Sequence, residues 1–121
     1  MEIKETTQKN RIIARFMGWK DSPYANLPNK VYRENFKRGI SLDQLNYHSS
    51  WELLMSVVEK IELTNRYEEH YPDMVTIWKN CCVISDGNNG YQLITIYAKT
   101  KIEAIYEACF EYIFDVVPIK V

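Results

Sequence analysis

The stretch Tyr47-His48-Ser49-Ser50 brings together a phenol, an imidazole and two hydroxyls, the groups from which nucleophilic active sites are built. In such a site the imidazole takes the serine proton while an acidic group orients the imidazole. His48 is adjacent to Ser49 in the sequence, but adjacency at the start of a helix does not aim the ring at the neighbouring hydroxyl. No G-x-S-x-G turn surrounds the serines. We therefore predict that the protein is not an enzyme and has no catalytic residues.

Cysteine and histidine are the other residue types that could hold a metal ion. Cys81 and Cys82 are adjacent, Cys109 lies in a predicted helix, and the two histidines are His48 and His70. This odd number of cysteines, without a C-x-x-C pair, does not supply the ligands of a zinc site. The pattern predicts reduced, buried thiols, with no metal and no cofactor.

Four carboxylates recur every fourth residue near the C-terminus, on Glu103, Glu107, Glu111 and Asp115. Such a ridge is compatible with metal binding or with mimicry of DNA. However, like-charged pairs at this spacing cost only about 0.2 to 0.5 kcal/mol each when solvated. A chelating site also needs ligands that converge from several elements. We interpret the ridge as a solvated helix face.

Residues 19–48 contain Pro23, Pro28 and Gly39 and show no sustained helical period. This pattern predicts a long irregular connection, within which the stretch KVYRENF is a candidate strand. Long connections often carry recognition, and aromatic and arginine side chains are enriched at interface hot spots. Our candidate partner-binding residues in this segment are Tyr24, Tyr32, Arg33 and Arg38. The alternative is that its aromatic residues form a lid beside Trp78 and Tyr97.

Three helices are predicted from capping residues and apolar periodicity. The first has its N-cap at Thr6 or Thr7 and stops at Gly18. The second begins with a capping box of Ser49 and Glu52, and the third with one of Thr100 and Glu103. The apolar stripes of the three helices are Ile12, Ile13, Phe16 and Met17; Trp51, Leu54, Met55, Val58 and Ile61; and Ile102, Ile105, Tyr106, Cys109, Phe110 and Ile113.

Three strands are predicted between the second and third helices, at residues 74–78, 81–84 and 91–98. The last two are joined by SDGNNG, whose Asp-Gly and Asn-Gly pairs are typical of hairpin turns. Alternation along the strands predicts one aliphatic face, which should meet the helices, and one mixed face. The aliphatic face has Val75, Ile77, Ile94 and Ile96, and the mixed face has Thr76, Trp78, Thr95 and Tyr97.

Length and composition bound the protein class. A chain of 121 residues with 46% hydrophobic and 26% charged residues predicts one folded domain over residues 1–121. No window is apolar enough to span a membrane, so we expect a cytoplasmic protein. The net charge is −1, yet residues 1–39 have nine Lys or Arg against four Asp or Glu. We interpret this as a basic half folded against an acidic half, the alternative being a basic arm for nucleic acid.

Three stretches together resemble a known family: RFMGWKDSPY, YHSSWELLMSVVEKIE and KTKIEAIYEACFEYI. They are similar to small uncharacterised phage and prophage proteins of the phage ABA sandwich domain type, from about residue 10 to residue 114. The resemblance implies an αβ domain of phage type, without an established enzymatic activity, that acts in the host cytoplasm. It transfers no site residues, and it is weakest at residues 27–45.

We therefore predict an α+β fold in which a three- to four-stranded antiparallel sheet packs with two long helices, in α-β-β-β-α order, plus a short N-terminal helix. A fourth strand would come from residues 30–36. The predicted function is non-catalytic binding of a host or phage protein, with counter-defence as one role. The alternative is a nucleic-acid-binding module, because the order matches a double-stranded-RNA-binding domain and Lys99 and Lys101 lie where such a domain has lysines. The sequence does not fix the oligomeric state.

Overall fold

The computed structural model describes residues 3–21, 29–33, 36–64 and 71–117, with the backbone alone at residues 3, 4 and 36–38. This part of the chain forms three α-helices and two separate three-stranded antiparallel sheets. The elements in chain order are α1 (Ile3–Phe16), β1 (Lys20–Asp21), β2 (Lys30–Arg33), β3 (Phe36–Ser41), α2 (Trp51–Leu63), β4 (Met74–Trp78), β5 (Cys81–Ser85), β6 (Gln92–Tyr97) and α3 (Lys101–Glu111).

The α+β class is confirmed, but the prediction of a single sheet is wrong. The predicted α-β-β-β-α order is present from α2 to α3, where β4, β5 and β6 pair in sequence. Of residues 30–36, expected to add a fourth strand, 30–33 form β2 and Phe36 begins β3 of a separate sheet with β1. We call this sheet the first sheet, and the sheet of β4, β5 and β6 the second sheet. At two residues, β1 is too short to give an alternating pattern, so the sequence offered no signal for a sheet here.

The first sheet packs on α1 rather than on the second sheet. Ile13 and Ala14 of α1 are buried in one core with Trp19, Val31 and Leu42. The other members of the predicted α1 stripe, Ile12, Phe16 and Met17, are half-buried.

The predicted end of α1 is confirmed and its predicted start is wrong. Gly18 terminates the helix with φ of 97°, a left-handed conformation that favours glycine, and its N–H donates to Arg15 O at 3.0 Å. The helix begins at Ile3, so Thr6 and Thr7 lie inside it. The polar residues before them are compatible with helix and do not mark a boundary.

The capping residue of α2 is Ser50, not Ser49. The Ser50 hydroxyl accepts from Leu53 N at 3.2 Å, whereas the Ser49 hydroxyl accepts from the Asn46 side chain at 2.9 Å. The predicted apolar stripe of α2 is confirmed in part. Leu54, Val57, Val58 and Ile61 are buried, while Trp51, predicted in the core stripe, is 47% exposed.

Both α2 and α3 pack on one face of the second sheet. The predicted aliphatic face lies against the core through Val75, Ile77, Ile94 and Ile96, and Cys82 and Ile84 of β5 are buried between them. The hairpin predicted at SDGNNG is present: Asp86 N donates to Tyr91 O at 2.8 Å, and Gly90 has φ of 75°. All three cysteines are free and buried, as expected.

The cap of α3 is confirmed, and its buried stripe in part. The Thr100 hydroxyl accepts from Glu103 N at 3.2 Å. Ile105, Tyr106 and Cys109 are buried as predicted, whereas Ile102, Phe110 and Ile113 are only half-buried. The remaining buried positions of this helix and of the π-helical turn that continues it are Ala104, Ala108 and Tyr112.

The acidic ridge of α3 is not uniformly solvated. Glu107 forms an ion pair with Lys9, whose Nζ lies 2.8 Å from Oε2 and 3.1 Å from Oε1, and only 19% of the Glu107 side chain is exposed. The hydrogen bond with Asp115, together with burial, raises the pKa of Glu111. The solvated-face interpretation is therefore wrong at Glu107, because α1 packs alongside α3 and brings Lys9 to the ridge.

Candidate functional site

The structure describes the side chains of two of the four predicted partner-binding residues. Tyr24 lies outside the described residues, and for Arg38 only the backbone, within β3, is described. Tyr32 is half-buried, and its ring lies so close to Gly39 that a Cβ there would be 2.7 Å from it. The structure thus does not bring these four side chains together into one described surface, and their partner-binding role stays a prediction.

Arg33 holds the first sheet to the end of α1. Its guanidinium lies 5.1 Å from the centroid of the Trp19 ring and donates to the carbonyl oxygen of Met17. Because Trp19 is only 6% exposed, this arrangement covers part of the core. Arg33 therefore has a structural task, whatever its role in binding.

The mixed face of the second sheet is open to solvent. Trp78 is 63% exposed and Tyr97 is 71% exposed, and the described part of residues 19–48 packs on α1 instead of forming the alternative lid over them. We call this surface the open sheet face. It consists of three cross-strand rows: Trp78, Cys81 and Tyr97; Thr76, Val83 and Thr95; and Met74, Ser85 and Gln92.

The rows follow from strand pairing. Cys81 pairs with Trp78 on one side and with Tyr97 on the other, so the two aromatic side chains flank one small residue. Side chains directly opposite each other on neighbouring strands lie about 5 Å apart, so the two aromatic rings stand roughly two strand spacings from each other. The first row therefore presents two large exposed aromatic groups at a fixed separation.

No residue in the three rows carries a formal charge, and two lysines lie at the end of the face that holds the aromatic row. Lys79 lies in the β4–β5 turn with its Nζ 5.0 Å from the Trp78 ring centroid. Asn80 accepts at its carbonyl from Ala98 N at 3.1 Å, which places the end of β6 and the exposed Lys99 beside that turn. The aromatic row is thus bordered by two lysines.

The thiols of Cys82 and Cys109 offer little reactivity. Burial, with the charge of Cys81, raises the pKa of Cys82 to about 12, and burial also raises the pKa of Cys109. The hydrogen bond with Cys81 raises the pKa of Tyr97. A thiol with a raised pKa stays protonated at neutral pH and is a weak nucleophile.

A second candidate site surrounds His48, between α1 and α3. Asn10 of α1 donates from Nδ2 to His48 Nδ1 at 3.0 Å, and the Tyr106 hydroxyl donates to Asn10 Oδ1 at 2.9 Å. Asn10 is only 5% exposed, and the His48 and Tyr106 rings meet edge to face with centroids 5.9 Å apart. The sequence-based analysis considered His48 only with its neighbouring serines and missed Asn10.

One sequence signal could have identified Asn10. It precedes Ile13, Ala14 and Met17 by three, four and seven residues, so it is a polar residue on the apolar face of α1. A buried asparagine requires hydrogen-bond partners, which indicates a polar cluster within the core. The identity of those partners could not be predicted, because Tyr106 is 96 residues away.

Neither a metal site nor a membrane span is found in the described parts of the chain. Within them no three His, Cys, Asp or Glu side chains are grouped so that they could hold a metal ion. None of the described helices combines the length and the apolar character needed to cross a bilayer.

Comparison of the chain with protein-family models, with curated proteins and with solved structures finds no match. The resemblance to the phage ABA sandwich domain therefore stays a prediction from the three quoted stretches.

Proposed function

We propose that this protein is a small non-catalytic binding module, of phage or prophage type, that binds a host or phage protein through the open sheet face. The observation that carries the proposal is the in-register pair of Trp78 and Tyr97, each more than 60% exposed on an uncharged surface. Counter-defence is the role we favour for such a module.

Exposed aromatic pairs of this kind are typical of interface centres. Tryptophan and tyrosine bury large rigid surfaces with little loss of conformational entropy and dominate hot spots. Met74, 52% exposed in the third row, adds an adaptable apolar side chain. The core contacts of the sheet are made by its other face, so these side chains are not needed to hold the sheet against the helices.

The size of the face defines what it can contribute. Three strands about 4.8 Å apart and five residues long cover roughly 250 Å² in projection. A stable protein interface buries about 800 Å² on each partner. The open sheet face therefore supplies the central contact, and the exposed Tyr71 and Tyr91 near the other end of the sheet extend it.

Charge indicates the chemistry of the partner surface. The centre is neutral, whereas Lys79 and Lys99 are exposed at the end that holds the aromatic row. A complementary partner presents an apolar centre with carboxylates on the side that faces these lysines. Nucleic acid requires cations along a longer track, and the face itself offers none.

Nucleic acid is nevertheless the second candidate, because one observation favours it. The order from α2 to α3 is that of a double-stranded-RNA-binding domain, and Lys99 and Lys101 are both exposed. Aromatic side chains next to lysines also provide stacking positions for single strands. The experiment below separates the two classes.

The test compares the protein with a Trp78→Ala, Tyr97→Ala double variant. Trp51→Ala is the matched control, since Trp51 is a half-exposed tryptophan on α2. A partner captured from host lysate is purified and titrated calorimetrically against all three proteins. We expect the double variant to bind at least about 30-fold more weakly, as hot-spot residues do, and the control to bind normally.

Three results would overturn the proposal. Equal affinity of the double variant would place the interface elsewhere, and a Tyr24→Ala, Arg38→Ala variant would then test the segment predicted from the sequence. Salt-sensitive binding of random oligonucleotides, lost on Lys99→Glu, would make nucleic acid the ligand. A concentration-dependent dimer in light scattering, lost in the double variant, would identify a second copy of the chain as the occupant.

A further inference from the structure

A pocket of about 360 Å³ opens between the first turns of α1, the residues before α2 and the first turns of α3. Its volume is at the lower end of the range for ligand sites in proteins. Thr6 and His48 line it on one side, and α3 contributes Ile102, Glu103, Tyr106 and Glu107. The open sheet face contributes none of these residues, so the pocket is a separate feature.

The charge of the pocket is negative. The Lys9 ammonium donates hydrogen bonds to both carboxylate oxygens of Glu107, and Glu5 Oε1 lies 3.8 Å from the same ammonium. The Glu103 carboxylate has no ion pair with any residue that the structure describes, and the side chain is exposed. Two carboxylates thus line the pocket and only one of them is neutralised. The dipole at the start of α3, worth about half a positive charge, offsets the remainder in part.

The negative charge also acts on the ionisation of Tyr106 in the pocket wall. Burial, followed by the negative charges of Glu107 and Glu5, raises the pKa of Tyr106. A neutral phenol is therefore kept beside the carboxylates, and an added cation would be attracted chiefly by Glu103, because Glu107 is already paired with Lys9.

The other pocket wall is apolar and aromatic. Ile102 is half-buried, and the Tyr106 ring meets the His48 ring edge to face. Aromatic rings attract cations placed over their faces, and aliphatic walls favour an alkyl stem. The pocket therefore combines a site for a positive group with a site for a short hydrocarbon chain.

His48 can adapt its hydrogen bonding to such a ligand. When Asn10 donates to Nδ1, the neutral ring carries its proton on Nε2. If the Asn10 amide turns over, its oxygen accepts from Nδ1–H and Nε2 becomes an acceptor. The Tyr106 hydroxyl supports this second arrangement, since it can accept from Asn10 and donate to the Thr6 carbonyl oxygen, 3.5 Å away.

We propose that this pocket binds an organic cation, an ammonium or guanidinium group on a short alkyl chain, with the charge against Glu103 and the stem against Ile102 and Tyr106. His48 Nε2 accepts a hydrogen bond from the cation. The ligand is either a free alkylamine or a lysine or arginine side chain of another protein. This site does not depend on the function proposed for the open sheet face.

The first experiment titrates the protein with agmatine, a four-carbon chain with a guanidinium at one end and an ammonium at the other, and follows binding by NMR. We expect saturable shifts at Ile102, Glu103 and Tyr106, with a Kd of about 1 mM, as befits so small a ligand. N-butylurea has the same four-carbon chain, but a neutral urea replaces the guanidinium and the ammonium is absent, so it should not bind. Glu103→Gln should weaken agmatine binding at least fivefold.

The matched control is Glu52→Gln, which removes an exposed first-turn glutamate from α2 and leaves the pocket intact. Absence of saturation with agmatine would overturn the proposal, and so would equal binding of N-butylurea or equal effects of the two variants. A short peptide with one arginine distinguishes the sources: tighter binding of the peptide than of agmatine identifies a protein side chain, and the reverse identifies a free amine.

The second readout is the tautomer of His48 from its ring ¹⁵N shifts under mildly alkaline conditions. Agmatine should move the proton from Nε2 to Nδ1, because Nε2 must accept from the cation. A purely structural His48 would keep its tautomer when the pocket fills. Agmatine binding with an unchanged tautomer would overturn the role assigned to His48.

Discussion

Tyr112→Phe should destabilise the protein more than any other removal of a single hydroxyl group that the described contacts suggest. The Tyr112 hydroxyl, at the end of α3, donates to Asp73 Oδ2 at 2.5 Å, and Gly87 N donates to Oδ1 of the same carboxylate at 3.0 Å. Asp73 is 1% exposed and Tyr112 is fully buried. The carboxylate thus joins the last helical turn to the segment before β4 and to the β5–β6 hairpin.

The expected cost follows from burial and charge. A hydrogen bond to a charged group contributes about 1.5 to 3 kcal/mol, and a buried acceptor that loses its donor cannot recover it from water. We expect Tyr112→Phe to lower the free energy of unfolding by about 2 to 4 kcal/mol. At about 4 °C per kcal/mol for a chain of this length, Tm should fall by about 8 to 16 °C.

The measurement is urea unfolding of the protein, Tyr112→Phe, Asp73→Asn and the double variant. Tyr91→Phe is the control, because it removes the same atom from a side chain that is 73% exposed, and it should change stability by less than about 0.5 kcal/mol. The double-mutant cycle should give a coupling of about 1 to 3 kcal/mol. A loss in Tyr112→Phe no larger than that in Tyr91→Phe would refute the reasoning.

Three further predictions concern the helix cap, the exposed tryptophan and an ion pair. Ser50→Ala should cost about 1 kcal/mol of stability and Ser49→Ala less than about 0.5, measured by urea unfolding, because only Ser50 caps α2. Trp51→Ala should cost about 1 to 2 kcal/mol in the same assay, well below the value for a buried tryptophan, since the side chain is 47% exposed; a loss above 3 would contradict its observed position. Burial opposes the effect of the hydrogen bonds from Arg15 and Arg11, but the bonds prevail and lower the pKa of Asp21. The stabilisation that ionised Asp21 contributes is therefore complete above about pH 4 and is lost as the pH falls through its folded-state pKa. For this reason the Tm of Asp21→Asn should decline less steeply below pH 4 than the Tm of the unchanged protein.

The second half of the fold could be predicted because several signals agree there. The bounds of β4 match the predicted residues 74–78, and the alternation of Val75 and Ile77 with exposed neighbours set the correct face. Thr100 was identified as a cap because one hydroxyl residue directly precedes a strong helical period. Where two adjacent serines compete, as at Ser49 and Ser50, the sequence pattern does not distinguish them, because both are favoured N-cap residues before the same apolar period.

The first half could not be predicted because its strands are short and depend on tertiary contacts. The two residues of β1 pair with β2, and the side chains that stabilise this sheet include Arg33 stacked on Trp19, from a different segment. Propensity carries little information over so short a strand. The pocket was missed for a related reason: His48, Asn10 and Tyr106 are far apart in sequence and meet only after α1 and α3 have packed.

The two proposed surfaces are linked by one short connection. Tyr97 ends the aromatic row, and Thr100 and Glu103 border the pocket, so only the turn between β6 and α3 separates them. That turn is held at both ends, by the hydrogen bond from Ala98 N to Asn80 O at 3.1 Å and by the Thr100 cap. Because the connection is fixed, the aromatic row and the pocket rim keep one relative orientation. The turn is already ordered in the free protein, so binding carries no further entropy cost for ordering it. This favours rigid recognition over folding upon binding.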